Sequence, residues 1–138
     1  MTVTALAAAE GVAIAIQNMP TPTFSTEDEL QVAIYEQLAS TYIGCGVEPA
    51  MVMREVPLSD ARSRIDVIVF APVTGGFTVG VEVKLAGGAP AVRRQLDRYA
   101  ACAELDALVL ATTRASHLHL SGVLEGKPIV VATLIGLL

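Results

Sequence analysis

Residues 65–85 read IDVIVFAPVTGGFTVGVEVKL and contain two apolar segments separated by a pair of glycines. The first segment, 65–70, is rich in β-branched residues, and the second, 77–85, alternates between apolar and polar or small residues. A period of two is typical of a strand with one buried face, and Gly75-Gly76 is typical of a turn. The sequence therefore predicts two paired antiparallel strands.

The second of these strands carries a carboxylate and an amine on the same face. Successive side chains of a strand point to opposite faces, so Glu82 and Lys84 lie on one side and the apolar residues on the other. Asp66 stands near the start of the first strand, sixteen residues before Glu82. The hairpin would bring Asp66 alongside Glu82, so two carboxylates and one lysine are expected to converge.

The segments around this hairpin predict helices and further strands. Helical spacing of apolar residues predicts helices over 26–42, with Ser25 or Thr26 as the N-cap, and over 90–104. An alanine-rich segment, 2–16, predicts a short helix, and strands are expected over 51–58, 106–112 and 128–135, with a short helix or turn within 114–127. The predicted order is (α)-α-β-β-β-α-β-β, an α/β fold with a mixed central sheet flanked by helices.

Length and composition indicate one folded domain over 1–138, with 1–22 as a packing or dimerisation appendage. Apolar residues make up 53% of the chain, which excludes a disordered polymer. The longest early apolar stretch, 5–16, is too short to span a bilayer, so we expect no membrane segment and no signal peptide. Cys45 and Cys102 are expected to be reduced thiols in a cytoplasmic protein.

The distribution of charge bears on the class of partner. A net charge of −5 argues against a nucleic-acid partner, since phosphate binding depends on Lys and Arg. Residues 1–50, however, hold six acids and no Lys or Arg, whereas 51–100 hold seven basic residues and five acids. The positive charge is therefore concentrated around the segment that carries Asp66, Glu82 and Lys84.

Two carboxylates and a lysine suit the hydrolysis of a phosphodiester bond. Mg²⁺ binds hard oxygen ligands and commonly takes one or two carboxylates together with a substrate phosphate oxygen. A nearby lysine can orient the attacking water or stabilise the developing negative charge. The chain has no glycine-rich dinucleotide motif, no phosphate-binding Gly-Lys-Ser loop and no nucleophile-elbow serine, which disfavours dinucleotide enzymes, nucleoside triphosphatases and serine hydrolases.

This pattern resembles the PD-(D/E)XK nucleases, nearest to the RecB-like, virus-type replication-repair and Holliday-junction-resolvase branches. The resemblance covers about residues 26–112 and rests on Ile65-Asp66, the sixteen-residue gap and Glu82-Val83-Lys84. Family members tend to carry a glutamate in the preceding helix, where Glu27 matches best and Glu29 and Glu36 are rivals. The first two branches also show a glutamine on the following helix, often with a tyrosine one turn later, and Gln95 with Tyr99 matches. The proline of the family name is replaced by Ile65.

The resemblance implies a restriction-endonuclease-like core and a metal-dependent nuclease that cuts DNA in repair, recombination, phage or defence functions. The implied cofactor is Mg²⁺, with Mn²⁺ able to substitute, and the implied state is a homo-oligomer, most simply a dimer. The implied metal ligands are Asp66 and Glu82. The full implied catalytic set is Asp66, Glu82, Lys84, Glu27 and Gln95, and the expected nucleic-acid contacts are Arg64, Arg93, Arg94 and Arg98.

Plainer interpretations exist for each of these residues. Asp66 could cap a turn at the start of a strand, and Glu82 with Lys84 could be a solvated ion-pair row on an edge strand. An acid such as Glu27 is stabilised in the first turn of any helix by the helix dipole. Arg94 and Arg98 could be a solvated face. A pI of about 4.9 also motivates an alternative function, a catalytically silent nuclease-fold binding or assembly module.

Overall fold

The computed structural model describes residues 3–20, 23–43, 50–70 and 74–134. The helices in these ranges are α1 (Ala5–Gln17), α2 (Glu27–Tyr42) and α3 (Ala89–Ala100), and the strands are β1 (Met51–Pro57), β2 (Arg64–Phe70), β3 (Thr78–Lys84), β4 (Ala107–Thr112), β5 (Gly122–Leu124) and β6 (Lys127–Thr133). A 3-10 helix covers Ala115–Leu120. The strands form one sheet in the order β1-β2-β3-β4-β6-β5.

The sheet is mixed, as the sequence predicted. Strands β1, β2 and β3 are antiparallel neighbours, β4 is parallel to both β3 and β6, and β5 pairs antiparallel with β6. The predicted hairpin is present, with Val67 opposite Val81. Gly75 and Gly76 have φ of +72° and +81°, a conformation that residues with a Cβ rarely adopt. The chain is therefore α/β, a six-stranded mixed sheet flanked by helices.

Helices cover both faces of the sheet and produce two buried clusters. Val79, Val81 and Val83 of β3 face the cluster that includes α1 and α2. The other cluster packs α3 against the opposite face through Leu96 and Tyr99. α1 contributes six buried residues to the first cluster and packs on β4 and β6.

Helix α2 begins with a reciprocal cap. The Thr26 hydroxyl oxygen accepts from the Glu29 N–H at 3.1 Å, which identifies Thr26 rather than Ser25 as the N-cap. The Glu29 carboxylate in turn accepts from the hydroxyls of Ser25 at 2.8 Å and Thr26 at 3.2 Å. These hydrogen bonds, with that from Ser25 the largest effect, lower the pKa of Glu29. Glu29 is thus occupied by the helix cap.

The structure differs from the sequence expectation at the end of α3 and in having the strand β5. The helix predicted over 90–104 is too long, because α3 ends at Ala100 and the Ala101 N–H closes its last turn on Asp97. The sequence also failed to predict β5 within 114–127. Its hairpin to β6 uses Glu125 and Gly126, both with positive φ, and Glu is an unusual residue at the first position of such a turn.

A buried histidine fastens the loop between β3 and α3. His117 is fully buried, with Nδ1 2.7 Å from the Thr112 hydroxyl and Nε2 2.8 Å from the Gly87 carbonyl oxygen. A carbonyl can only accept, and in a neutral imidazole the nitrogen that carries no hydrogen can only accept. Nε2–H therefore donates to Gly87, and Nδ1 accepts from Thr112. This bridge ties the start of α3 to the end of β4.

The remaining expectations concern thiols and the membrane. Cys102 is a buried free thiol, and Cys45 lies outside the described residues. In the parts of the chain that the structure describes, no helix combines the length and apolar character needed to cross a bilayer.

Candidate functional site

Four of the side chains predicted to be catalytic lie together at the carboxyl end of β3. Asp66 comes from β2, Glu82 and Lys84 come from β3, and Glu27 comes from the first turn of α2. Antiparallel pairing brings the beginning of β2 beside the end of β3, and α2 crosses the same end of the sheet. Residues from positions 27 to 84 are thereby collected in one place.

Asp66 is anchored through both carboxylate oxygens. Oδ2 accepts from the backbone N–H of Val83 at 2.8 Å, and Oδ1 accepts from the side-chain amide of Gln31 at 2.8 Å. In a regular sheet the Val83 N–H would donate to a backbone carbonyl of the neighbouring strand. Here the Asp66 side chain accepts that hydrogen bond instead. Asp66 lies inside a strand and bonds to another strand, so the interpretation as a turn cap is wrong.

Glu82 is buried in the interior of the sheet. Only 3% of the residue is exposed, Oε1 lies 3.2 Å from the Tyr99 hydroxyl and Oε2 lies 3.4 Å from Lys84 Nζ. Burial, followed by the negative charge of Asp66, raises the pKa of Glu82 to about 8, although the Lys84 charge opposes the shift. The edge-strand interpretation of Glu82 and Lys84 is wrong, because β3 lies between β2 and β4.

Asp66 and Glu82 affect each other's ionisation. After burial, the negative charge of Asp66 is the largest cause of the raised pKa of Glu82. Burial dominates at Asp66 as well and raises its pKa above the ordinary value despite the donors from Val83 and Gln31. Two acids this close and this buried repel each other when both are ionised, so they favour a shared proton or a bound cation.

Lys84 is shared between two glutamates. Its Nζ lies 3.4 Å from Glu82 Oε2 and 4.0 Å from Glu27 Oε1, and the lysine side chain is 20% exposed. The other Glu27 oxygen accepts from the Leu85 N–H at 3.1 Å, which holds α2 against the end of β3. Of the three glutamates left open by the sequence, Glu27 joins the site, Glu29 caps the helix and Glu36 is exposed.

Gln95 reaches the site through Tyr99. The Gln95 amide donates to the Tyr99 oxygen at 2.7 Å, and the Tyr99 hydroxyl lies 3.2 Å from both Glu82 Oε1 and the Arg64 carbonyl oxygen. Burial and the Glu82 charge raise the pKa of Tyr99, so the phenol stays protonated and can donate. Gln95 therefore orients Tyr99, and Tyr99 contacts the carboxylate.

The four predicted phosphate-binding arginines are all exposed, but their surroundings differ. Arg93 forms an ion pair with Asp97 at 3.7 Å, and Arg98 acts electrostatically on Asp60. Within the described ranges no ion pair involves Arg64 or Arg94. Arg64 stands two residues before Asp66, and its carbonyl is bonded to Tyr99, which keeps its backbone next to the acidic pair.

Gln31 and Arg54 adjoin the site although the sequence did not predict them. Gln31 is only 6% exposed and lies one helical turn after Glu27, so both face the sheet from α2. Its amide oxygen accepts from Arg54 Nε at 3.2 Å and from Arg54 Nη2 at 2.7 Å. The sequence feature that could have identified Gln31 is its position directly after Leu30, a polar residue next to the apolar stripe of α2.

The acidic pair fits a hard divalent cation. Mg²⁺ prefers carboxylate oxygens and keeps several waters, and a cation would offset the burial and the negative charge of Asp66 that raise the pKa of Glu82. Across 3–20, 23–43, 50–70 and 74–134 no group of three His, Cys, Asp or Glu side chains has the arrangement of a metal site. Asp66 and Glu82 would supply two carboxylates, and Mg²⁺ is usually held by one or two carboxylates with its other positions filled by water or phosphate.

The chemistry of this site stands without support from relatives. Comparison with protein-family models, with curated proteins and with solved structures finds no match for the chain. A functional conclusion for this protein therefore depends on the geometry and electrostatics of Asp66, Glu82, Lys84 and their neighbours.

Proposed function

We propose that this protein is a metal-dependent nuclease that hydrolyses DNA phosphodiester bonds on a restriction-endonuclease-like core. The observation that carries the proposal is the burial of Glu82, which is 3% exposed beside the negative charge of Asp66, with Lys84 Nζ 3.4 Å from its carboxylate. Burying an acid next to a second acid without a function would be unfavourable, because desolvation of charges is expensive. The proposed cofactor is Mg²⁺, for which Mn²⁺ would substitute.

Asp66 and Glu82 would hold the metal. When bound, the cation would lower the pKa of a water and stabilise negative charge on the phosphate. Lys84 supplies a positive charge beside these carboxylates, where it can orient water or stabilise the charge that develops during hydrolysis. Glu27 positions Lys84 from the far side, and its bond to the Leu85 N–H keeps the strand end in place.

The DNA backbone would approach over the exposed arginines near this end of the sheet. Arg64 and Arg94 are the best candidates, because Arg93 and Arg98 already have acidic neighbours. The negative overall charge predicts that attraction to DNA is local and depends on these side chains. We also propose that the protein works in the cytoplasm and that it forms a homodimer. Sedimentation analysis would test the dimer.

The deciding experiment separates metal binding from cleavage. Asp66→Ala and Glu82→Ala are expected to abolish both Mn²⁺ binding and cleavage of a panel of linear, nicked, single-stranded and branched DNA. Lys84→Ala is expected to retain metal and DNA but to lose cleavage by a factor on the order of 10² or more, as for loss of one strong electrostatic stabiliser. Binding is measured by titration calorimetry and cleavage by gel assay.

The matched control is the chain's other lysine. Lys127 is the first residue of β6, and its Nζ donates to the Cys102 carbonyl at 2.7 Å and not to the carboxylates of the site. Lys127→Ala is therefore expected to cleave at the parental rate. Parental cleavage by Lys84→Ala would contradict the nuclease proposal. Metal-independent DNA binding without any cleavage would favour the silent binding module instead.

A further inference from the structure

We infer that Gln31 and Arg54 form a positioning pair that fixes the orientation of the Asp66 carboxylate and so sets the metal affinity of the site. The inference rests on the proposed function, because it assigns to Asp66 the role of a metal ligand. The pair is defined by three hydrogen bonds: one from Gln31 to Asp66 Oδ1 at 2.8 Å, and two from Arg54 to the Gln31 oxygen at 3.2 and 2.7 Å.

The chemistry of the two partners allows only one orientation of the Gln31 amide. An arginine side chain has donors and no acceptor, so the oxygen end of the amide must face Arg54. The NH₂ end then faces Asp66 and donates to it. Since Gln31 is 6% exposed, water cannot readily replace either bond, and turning the amide over would leave buried donors without acceptors.

This orientation matters because it leaves the Asp66 carboxylate with no freedom to rotate. One oxygen is held by Gln31 and the other by the Val83 N–H, and each keeps a further lone pair for a cation. A ligand that is already oriented needs less rearrangement when the metal binds. Partners that orient metal ligands commonly change metal affinity by about 10- to 100-fold when they are removed.

Arg54 is itself held from outside the site. Its guanidinium lies 6.0 Å from the centre of the Tyr35 ring, and Nη2 lies 3.6 Å from an Asp28 carboxylate oxygen. The arginine side chain is 32% exposed, whereas Gln31 is buried between Arg54 and Asp66. Arg54 is hydrogen-bonded to Gln31, and Gln31 to Asp66, so Arg54 acts on Asp66 through Gln31.

A double-mutant cycle on Mn²⁺ affinity tests this arrangement. The variants are Gln31→Met, Arg54→Met and the double substitution, measured by calorimetry without DNA, together with the melting temperature of the metal-free proteins. Methionine keeps the approximate length of glutamine and removes its hydrogen bonds. Gln31→Met is expected to weaken Mn²⁺ binding about 10- to 100-fold. Arg54→Met should weaken it in wild type and have no further effect beside Gln31→Met.

Two further variants separate positioning from general effects. Gln37→Met is the matched control, since Gln37 lies on α2 and its amide donates to the Ala15 carbonyl at 3.0 Å, away from Asp66. It is expected to change the melting temperature without changing Mn²⁺ affinity. Arg54→Lys keeps the charge but cannot offer the same two-point contact, so it is expected to bind Mn²⁺ more weakly than wild type.

The outcomes distinguish this inference from the nuclease proposal. If Gln31→Met binds Mn²⁺ with wild-type affinity while Asp66→Asn abolishes binding, the positioning pair is overturned and the metal site is not. If Gln31→Met does not fold, wild-type Mn²⁺ affinity in Arg54→Met leads to the same conclusion. An equal effect of Arg54→Met in both backgrounds also overturns it, because Arg54 would then act on its own. Equal Mn²⁺ binding by wild type and Asp66→Asn overturns both proposals, since the metal would lie elsewhere.

Discussion

Glu82 couples the stability of the metal-free protein to pH. An ordinary glutamate has a pKa of 4.5, and burial raises the pKa of Glu82 to about 8. Between these values the unfolded chain releases a proton that the folded protein keeps, so the free energy of unfolding falls as pH rises. The Glu82 contribution is complete below about pH 4.5 and lost above about pH 8, with a slope of up to about 1.4 kcal/mol per pH unit.

Urea unfolding in a metal chelator from pH 5 to pH 9 measures this dependence. Glu82→Gln is expected to flatten the fall, because a neutral amide has no proton to exchange. Glu36→Gln removes an exposed glutamate of α2 and serves as the control, which should keep the wild-type profile. Identical pH profiles for wild type and Glu82→Gln would contradict the raised pKa.

The principal carboxylates and the lysine could be predicted from the sequence because strand periodicity places them. Alternation puts Glu82 and Lys84 on one face, and the glycine turn brings Asp66 beside them. Gln31 and Arg54 could not be found in this way. A glutamine carries no charge signal, and its partners lie 23 and 35 residues away on two different strands.

At the scale of elements, the close packing of β3 depends on one glycine. A Cβ at Gly80 would overlap the Cδ1 of Ile65 and would lie 3.2 Å from Leu108 and 3.3 Å from Leu105. Gly80→Ala is therefore expected to destabilise the protein by about 1–3 kcal/mol through overpacking. Gly11 is the matched contrast, since its added Cβ would meet only the Tyr42 oxygen at 3.7 Å, and Gly11→Ala in a helix should stabilise by up to about 1 kcal/mol.

Chemical denaturation of both alanine variants gives the comparison directly. Opposite signs for the two changes are expected, because alanine improves helix propensity at one site and crowds the sheet at the other. A stabilised Gly80→Ala protein would show that the space between β2, β3 and β4 is larger than the structure indicates.

The bridge made by His117 is expected to hold the connection between β3 and α3. His117→Ala would remove the bond to the Gly87 carbonyl and leave the buried Thr112 hydroxyl without its acceptor, and an unsatisfied buried group costs about 1–3 kcal/mol. His119, two residues later, is exposed, so His119→Ala is the control. Thermal unfolding should show a large loss for the first variant only, and equal melting temperatures would contradict the bridge.

The helices and strands were largely predictable from the sequence, but which strands lie next to each other in the sheet was not. The hairpin of β2 and β3 has a turn signal in the sequence, whereas the parallel pairing of β4 with β3 and β6 joins segments with no such signal. Pairing of distant strands depends on how helices cover the sheet, which periodicity does not report. The short β5 was missed because three residues carry too little pattern.

For the whole molecule, the net charge is −5, so the expected DNA binding depends on the exposed arginines and should weaken as salt is added. Each neutralised phosphate of duplex DNA adds about 0.9 to the slope of log affinity against log salt. The affinity of the Lys84→Ala protein for DNA, measured by fluorescence anisotropy, should therefore fall as the salt concentration rises from about 50 to about 200 mM. Adding Arg64→Ala and Arg94→Ala should reduce the slope by up to about 1.8.

The ion-paired Arg93 provides the control for this measurement. Its charge is partly offset by Asp97 at 3.7 Å, so Arg93→Ala should reduce the slope less than either other arginine substitution. Affinity that does not change with salt would contradict a DNA backbone as the substrate.

The packing of α1 on β6 has a consequence for synthesis of the protein. About 110 residues separate the end of α1 from the start of β6, and a ribosome adds about 5–20 residues per second. Part of the apolar surface of α1, which includes Ala9, Val12 and Ile16, must therefore remain uncovered for roughly 5 to 20 seconds on each nascent chain. This interval is long enough for a chaperone that binds apolar helices to engage α1 before β6 is made.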